Sequence, residues 1–174
     1  MGGVLAWVGL GGNRADSPLL LREALTRLAA APGVGVLRRS ATYRSPPWGV
    51  EDQPDFVNAV AELETTLEPL DLLQLLLAVE TALGRDRSGE SRWGPRCIDL
   101  DLLTYGEVRL RSEELELPHP RLHLRAFVLV PLLHLDPGFR IPGRESAAEC
   151  LRNIDADEVA AVVPLPPART GPTP

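Results

Sequence analysis

The sequence predicts an α+β fold of the ferredoxin-like kind, an antiparallel sheet in the order β-α-β-β-α-β with helices on one face and a C-terminal extension. Three observations predict it. A short apolar run, Val4 to Leu10, stops at Gly11-Gly12 ahead of a proline-started helical segment. Phe56 to Glu64 alternates between two faces with a period of two. A second proline-started helical segment then precedes another strand pattern, Ile98 to Tyr105. With 174 residues, 44% hydrophobic and 24% charged, the chain is long enough for one well-cored domain.

Taken in order, Val4 to Leu10 has the pattern of a buried strand. Asp16-Ser17-Pro18 supplies a cap and a proline at the first helical position, so a helix is expected from Pro18 to about Ala31, ended by Pro32-Gly33. Its inner face would carry Leu21, Ala24, Leu25 and Leu28. Val34 to Tyr43 reads as the second strand. Phe56 to Glu64 reads as the third, with Phe56, Asn58, Val60 and Glu62 on one face and Val57, Ala59, Ala61 and Leu63 on the other. A helix from Pro69 to Gly84 would bury Leu72, Leu73, Leu76, Val79 and Leu83. After Ile98 to Tyr105 come a hairpin strand around Leu115 to Leu117 and a helical stretch from about Leu124 to Leu135. Residues 1–163 are expected to form a single domain, and the proline-rich residues 164–174 a disordered tail.

Composition excludes several kinds of chemistry. All 18 basic residues are arginine, so there is no lysine for a Walker-type phosphate loop or a Schiff base. A net charge of −6 argues against a generally basic nucleic-acid surface, though a local patch could hold an anion. No apolar run reaches membrane-spanning length, which leads to the expectation of a cytoplasmic protein with no membrane partner. Cys97 and Cys150 are far apart and lack metal-ligand spacing, so both are expected to be reduced and structural. Gly9-Leu10-Gly11-Gly12-Asn13-Arg14 looks at first like a dinucleotide-binding turn. Arg14 stands where the third glycine belongs, and no acidic ribose ligand follows at the usual interval, so the segment reads as a tight strand-to-helix turn that Asn13 caps or shapes.

The candidate chemistry lies in R-W-G-P-R-C-I-D-L-D, residues 92–101. Period two sends Ile98, Leu100 and Leu102 to the core and both Asp99 and Asp101 to the other face. Two carboxylates spaced roughly 6.5–7 Å apart along a strand repel by roughly 2–3 kcal/mol at an effective dielectric near 20. A cation therefore belongs beside them, either arginine or a divalent metal. Hard oxygen donors with room for water and phosphate oxygens suit Mg²⁺. Arg85, Arg87, Arg92 and Arg96 crowd into twelve residues and offer planar forks that grip phosphate. Trp93 either anchors its loop or packs on a flat ligand. Asn58 offers a donor and an acceptor to a heterocycle edge, and Phe56 or Trp48 could cover a ring. His119 is held between Pro118 and Pro120 close to Arg125.

With G-L-G-G-N, Y-R-S-P-P-W-G, D-Q-P-D-F-V-N-A, V-E-x-x-L-G-R, L-P-H-P and R-A-F-V-L-x-P-L, the chain resembles the 6-hydroxymethyl-7,8-dihydropterin pyrophosphokinases from about Ala6 to about Leu151. The resemblance implies a monomer that moves pyrophosphate from ATP to a pterin alcohol in folate biosynthesis. It implies two Mg²⁺ ions held by Asp99 and Asp101, and Arg85 and Arg96 on the phosphates assisting transfer. Glu80, Arg87, Trp93, Leu102, His119 and Arg125 fall on the ATP side. Ser45, Pro46, Trp48, Phe56, Asn58 and Phe127 fall on the pterin side, with two aromatics stacking on its faces. Gly12 stands where a serine is common and Phe56 where a tyrosine is. Glu114, Glu116 and Pro120 depart from the pattern on the adenosine side.

Overall fold

A computed structural model describes residues 2–47, 52–86 and 96–166. Among the described residues, eight strands and five helices follow one another as β1 (Val4–Gly12), α1 (Ser17–Ala30), β2 (Val34–Arg39), β3 (Tyr43–Ser45), β4 (Phe56–Thr65), α2 (Pro69–Ala82), β5 (Asp99–Tyr105), β6 (Leu110–Arg111), β7 (Glu116–Leu117), α3 (Ala126–Leu135), α4 (Ala147–Arg152), α5 (Ala156–Ala160) and β8 (Val163–Pro164). A short 3-10 turn, Leu122–Leu124, precedes α3. The main sheet runs β5-β1-β4-β3-β8, with β2 also paired to β4, and every pairing in it is antiparallel. A separate small ladder joins β6 to β7.

The strand expected from Val34 to Tyr43 is two strands, β2 and β3, which pair with opposite ends of β4. Ser40 breaks it. Its backbone N–H donates to Val60 O (2.8 Å) while its hydroxyl accepts from Val60 N (3.0 Å), so a side chain stands in for one rung of the ladder. Pro164, expected in the tail, pairs with Tyr43 as part of β8, and Leu165 N donates to Thr42 O. Residues 167–174 lie outside the described residues.

Helices cover both faces of the sheet, not one. On the first face α1 and α2 pack Leu21, Leu25, Leu28, Leu72 and Leu76 against Ala6, Val8, Ala61, Leu63, Ile98, Leu100 and Leu102. On the second face Trp7, Val60 and Leu103 meet Val128, Leu129 and Leu132 of α3 together with Phe139, Ile141, Ala147 and Cys150. The Trp7 and Phe139 rings meet edge to face at 5.0 Å. The C-terminal third of the chain therefore supplies this second layer. That explains why β4 buries Val60 and Glu62 as well as Ala59, Ala61 and Leu63.

Local chemistry sets the helix ends. Pro18 and Pro69 open α1 and α2, and Gly84, at φ +90°, closes α2 in the left-handed region. Asp16 makes no side-chain cap. Ser17, the first residue of α1, instead bonds outside the helix, its hydroxyl accepting from Arg14 N (3.0 Å) and donating to Cys97 O (2.8 Å). The α1 N-terminus is thus tied to the segment just before β5.

Gly12 lies inside this tie. A Cβ there would stand 2.4 Å from Cys97 O and 2.5 Å from Ser17 Oγ, and the first of these is backbone. Gly12→Ala is expected to cost about 1–3 kcal/mol by overpacking. A chemical-denaturation midpoint equal to that of the wild type would show that the 96–97 segment yields freely.

Candidate active site

The second helical layer stops short of the last rungs of β1, and a cleft opens there. It has a cavity volume of about 80 Å³ and is lined by Gly9, Leu10 and Gly11 of β1 and by residues of β3, β4, β5 and the start of α3. Asp99, Asp101, Arg96 and Arg125 stand at one side of it, and Ser45, Pro46, Phe56, Asn58 and Phe127 at the other.

Alternation along β5 places the two carboxylates. Leu100 and Leu102 are buried under α1 and α2, while Asp99 and Asp101 keep 26% and 32% of their side-chain surface open toward the cleft. Arginines hold both. Arg85 reaches Asp99 Oδ1 at 2.5 Å, Arg96 reaches Asp99 Oδ2 at 3.0 Å, and Arg125 reaches Asp101 Oδ2 at 2.9 Å. Arg85 is itself buried, its NH1 also donating to Glu80 Oε1 at 2.9 Å. Glu80 is fully buried in α2 and accepts a second hydrogen bond from Leu100 N at 2.6 Å. One carboxylate thus orients both the arginine and the strand segment between the two aspartates. Glu80 and Leu102 do not line the cleft: the first is enclosed by these partners, and the second turns its side chain to the opposite face.

Burial, reinforced by the negative charge of Asp99, pushes the Asp101 carboxyl up to about 6, against the pull of Arg125. Its folded value lies above the ordinary 3.8, so the group contributes stability below about 3.8 and loses that contribution as pH rises through about 6. Above pH 6 the cleft holds a second negative charge at a cost, which a cation would relieve. Carboxyl ¹³C NMR of metal-free protein is expected to place the Asp101 midpoint near 6; a midpoint near 3.8 would contradict this. His119 moves the other way. Burial and the Arg125 charge lower it to about 4, so it is neutral at pH 7. Its Nδ1 accepts from Arg121 N at 3.2 Å, leaving the hydrogen on Nε2, which stands 3.8 Å from Asp101 Oδ2.

At the other side of the cleft Asn58 is buried and donates from Nδ2 to the Ser45 hydroxyl at 2.9 Å. That bond fixes its amide, and Oδ1 is left on the Gly11 side, 3.0 Å from where a Cβ of residue 11 would be. Phe127 lies in the first turn of α3 with the Arg125 guanidinium 5.6 Å from its ring centre, so a cationic group backs one wall of the cleft. Trp48, Arg87 and Trp93 lie outside the described residues.

Asn13, expected to cap or shape a turn, reaches much further. Buried at 4% exposure, it donates to Gln53 Oε1 (3.0 Å) and Pro54 O (3.2 Å), accepts from Arg96 N (2.9 Å), and gives its own N–H to Arg96 O (3.0 Å). A single side chain ties the segment leading into β4 to the residue that grips Asp99. The sequence signal was an amide directly after a glycine turn; its partners 40 and 83 residues away could be identified only from the fold.

Among the described residues no group of three or more His, Cys, Asp or Glu forms a ready-made metal cage. Asp99 and Asp101 nevertheless suit a hard divalent cation, since two partly open carboxylates on one strand face leave further positions for water or phosphate oxygens. Among the described residues, too, no helix is long and apolar enough to cross a membrane.

Comparison with known proteins agrees with this geometry. The family profile described as 7,8-dihydro-6-hydroxymethylpterin-pyrophosphokinase (HPPK) matches residues 7–137. A 2-amino-4-hydroxy-6-hydroxymethyldihydropteridine pyrophosphokinase of Methylorubrum extorquens is 46% identical over 157 residues, covering 90% of this chain and 98% of its own. One of the same name from Synechocystis is 42% identical over 164 residues, covering 93% and 80%. Among solved structures, Plasmodium falciparum HPPK-DHPS wild type with pterin and p-hydroxybenzoate aligns with a TM-score of 0.66 at 13% identity, over 86% of this chain and 43% of that one. The chain therefore spans less than half of that longer protein, and at this identity the likeness shows the fold alone. The family profile and the named relatives make the chain an ATP-dependent diphosphotransferase, built here on an antiparallel sheet with helices. The chain belongs to the HPPK family, the pyrophosphokinases of folate biosynthesis.

Proposed function

We propose that this enzyme transfers pyrophosphate from ATP to the hydroxymethyl group of 6-hydroxymethyl-7,8-dihydropterin and releases AMP, with two Mg²⁺ ions as cofactors. The observation that carries the reading is the two-sided cleft, with Asp99 and Asp101 facing Arg96 and Arg125 on one side and Asn58, Ser45, Phe56 and Phe127 on the other. Such a division suits a polyphosphate beside a flat, hydrogen-bonding heterocycle. The β-α-β-β-α-β frame reads as ferredoxin-like, with α3 to β8 as its extension.

Asp99 and Asp101 would hold the metal, which when bound neutralises phosphate charge and activates oxygens. The protein's own residues do the rest by positioning and electrostatics. Arg85 and Arg96 sit where the transferring phosphate would gather charge, and Glu80 keeps Arg85 in place from behind. Arg125 and neutral His119 border Asp101 on the nucleotide side, and Arg87 and Trp93 belong to the same side by their place in the family motif. Leu102, whose side chain faces the core, would meet the nucleotide through its main chain. Phe56 and Phe127 would sandwich the pterin while Asn58, Ser45, Pro46 and Trp48 read its edge. The hydroxymethyl oxygen bonds to the β-phosphorus as the bond from that phosphorus to the α,β-bridging oxygen breaks. AMP leaves with that oxygen, and the alcohol's proton is released.

Incubation with ATP, Mg²⁺ and the pterin alcohol is expected to yield AMP and the pyrophosphorylated pterin in equal amounts. AMP formed without pterin would point to a nucleotide hydrolase, and no AMP at all to a binding module on the same fold. We expect a monomer in the cytoplasm, with small-molecule partners and no nucleic acid.

A further inference from the structure

Strand β3 carries part of the cleft wall on very little pairing. Its three residues, Tyr43–Ser45, meet β4 at Asn58, Val57 and Phe56, and they end at the serine whose hydroxyl fixes the Asn58 amide. On its other side β3 has β8. Tyr43 lies opposite Pro164 and Arg44 opposite Val163, and Leu165 N donates to Thr42 O at 2.7 Å. A strand so short, paired along one edge alone, is marginal in water, so β8 supplies a needed second edge.

The strand β8 is in turn anchored by the residue before it. Val162 is buried at 8% exposure and packs with Tyr43 and Ala126, with Phe127 and Val159 against the same cluster. Its N–H donates to Val159 O at 3.1 Å and closes the turn that follows α5. Val163, next in the chain, is 40% exposed, so Val162 is the apolar anchor of the pair. Both neighbours of Val162 lead to the cleft. Tyr43 and Ser45 share a buried face of β3, two residues apart, so the ring that Val162 supports lies next to the hydroxyl that orients Asn58. Ala126 stands between Arg125 and Phe127, and both of these line the cleft. A segment behind the cleft therefore holds together the strand that carries Ser45 and the helix start that carries Phe127.

We propose that Val162 and Leu165 are positioning residues for the acceptor side of the cleft: they hold β3 against the first turn of α3 and so set Ser45, Asn58 and Phe127 at the spacing the flat alcohol needs. Neither touches substrate. The inference rests on the function proposed above and adds a part of the chain outside the cleft to what orders it. The phosphate side does not depend on this segment, because Arg125 is held by Asp101 at 2.9 Å and Arg96 by Asp99 at 3.0 Å. Loosening the segment should thus affect one substrate and spare the other.

Val162→Ala removes part of the anchor, and Leu165→Pro removes only the N–H that bonds Thr42 O, at a partly exposed position. Val162→Ile keeps a branched apolar side chain, and Val34→Ala makes the same truncation at a buried site on β2, away from the cleft. Calorimetric titration of the ATP analogue in Mg²⁺, then of the pterin alcohol, is run beside melting curves and steady-state kinetics. Val162→Ala and Leu165→Pro are expected to weaken pterin binding and raise its KM about fivefold or more, with ATP-analogue affinity and kcat at saturating pterin kept within about twofold. Val162→Ile is expected to retain pterin affinity, and Val34→Ala to lower the melting temperature without changing it. Wild-type pterin affinity in either folded variant would overturn the proposal. So would an equal loss of both ligands, or a pterin loss as large in Val34→Ala, since the segment would then serve stability alone. If Val162→Ala does not fold, Leu165→Pro decides, and failure of both to fold would likewise overturn it. A wild-type protein that binds no pterin alcohol would instead overturn the proposed function itself.

Discussion

Asp99→Ala is expected to abolish pyrophosphoryl transfer, lowering turnover by about 10³-fold or more, while the protein stays folded. Asp99 carries two arginines, Arg85 at 2.5 Å and Arg96 at 3.0 Å, and in the proposed reaction also half of the metal site. Its loss removes the oxygen donor and the anchor of the arginine pair together. The fold survives because the buried Arg85 keeps Glu80 at 2.9 Å and so still has a carboxylate. Asp99 is also partly open to the cleft, so its truncation leaves no closed cavity. Turnover and Mg²⁺ titration, read beside a melting curve, check the result. Near-normal turnover would remove Asp99 from the metal site.

Arg96→Ala is expected to lower turnover by about 10²–10³-fold and to change pterin affinity little. The guanidinium lies on the Asp99 side of the cleft, whereas the pterin-side residues take their order from a different bond, Asn58 to Ser45. The backbone of residue 96 would stay in place, since Asn13 holds its N–H and carbonyl independently of the side chain. The signature is thus a fall in kcat with an intact pterin Kd. A loss confined to thermal stability would make the arginine structural.

Much of this site is legible locally. The alternation from Ile98 to Leu102 shows which residues of β5 are apolar and inward, and therefore which face the aspartates share. It stops being reliable after Leu103, because the register shift opposite Trp7 and Val8 puts Tyr105, three residues beyond Leu102, into the same core as Leu102. Pairings between distant segments carry no local signal at all. That Arg125 meets Asp101 and Glu80 meets Leu100 N depends on how α2 and α3 dock on the sheet. The second helical layer is the largest such gap. Helix α4 does have a sequence mark, the capping box in which Ser146 and Glu149 exchange hydrogen bonds, but at six residues it has too few turns to show a helical period. The glycine turn is a further case. Its resemblance to a dinucleotide loop draws attention to φ and phosphate, whereas its glycines sit in strand β1 and none has a positive φ.

The most direct measurement is a structure of the protein with Mg²⁺, a non-hydrolysable ATP analogue and 6-hydroxymethyl-7,8-dihydropterin. Two metal ions on Asp99 and Asp101, and the pterin between Phe56 and Phe127 with its hydroxymethyl arm toward those carboxylates, are the predicted result. Metal bound elsewhere, or a pterin seated away from Asn58, Phe56 and Phe127, would contradict it.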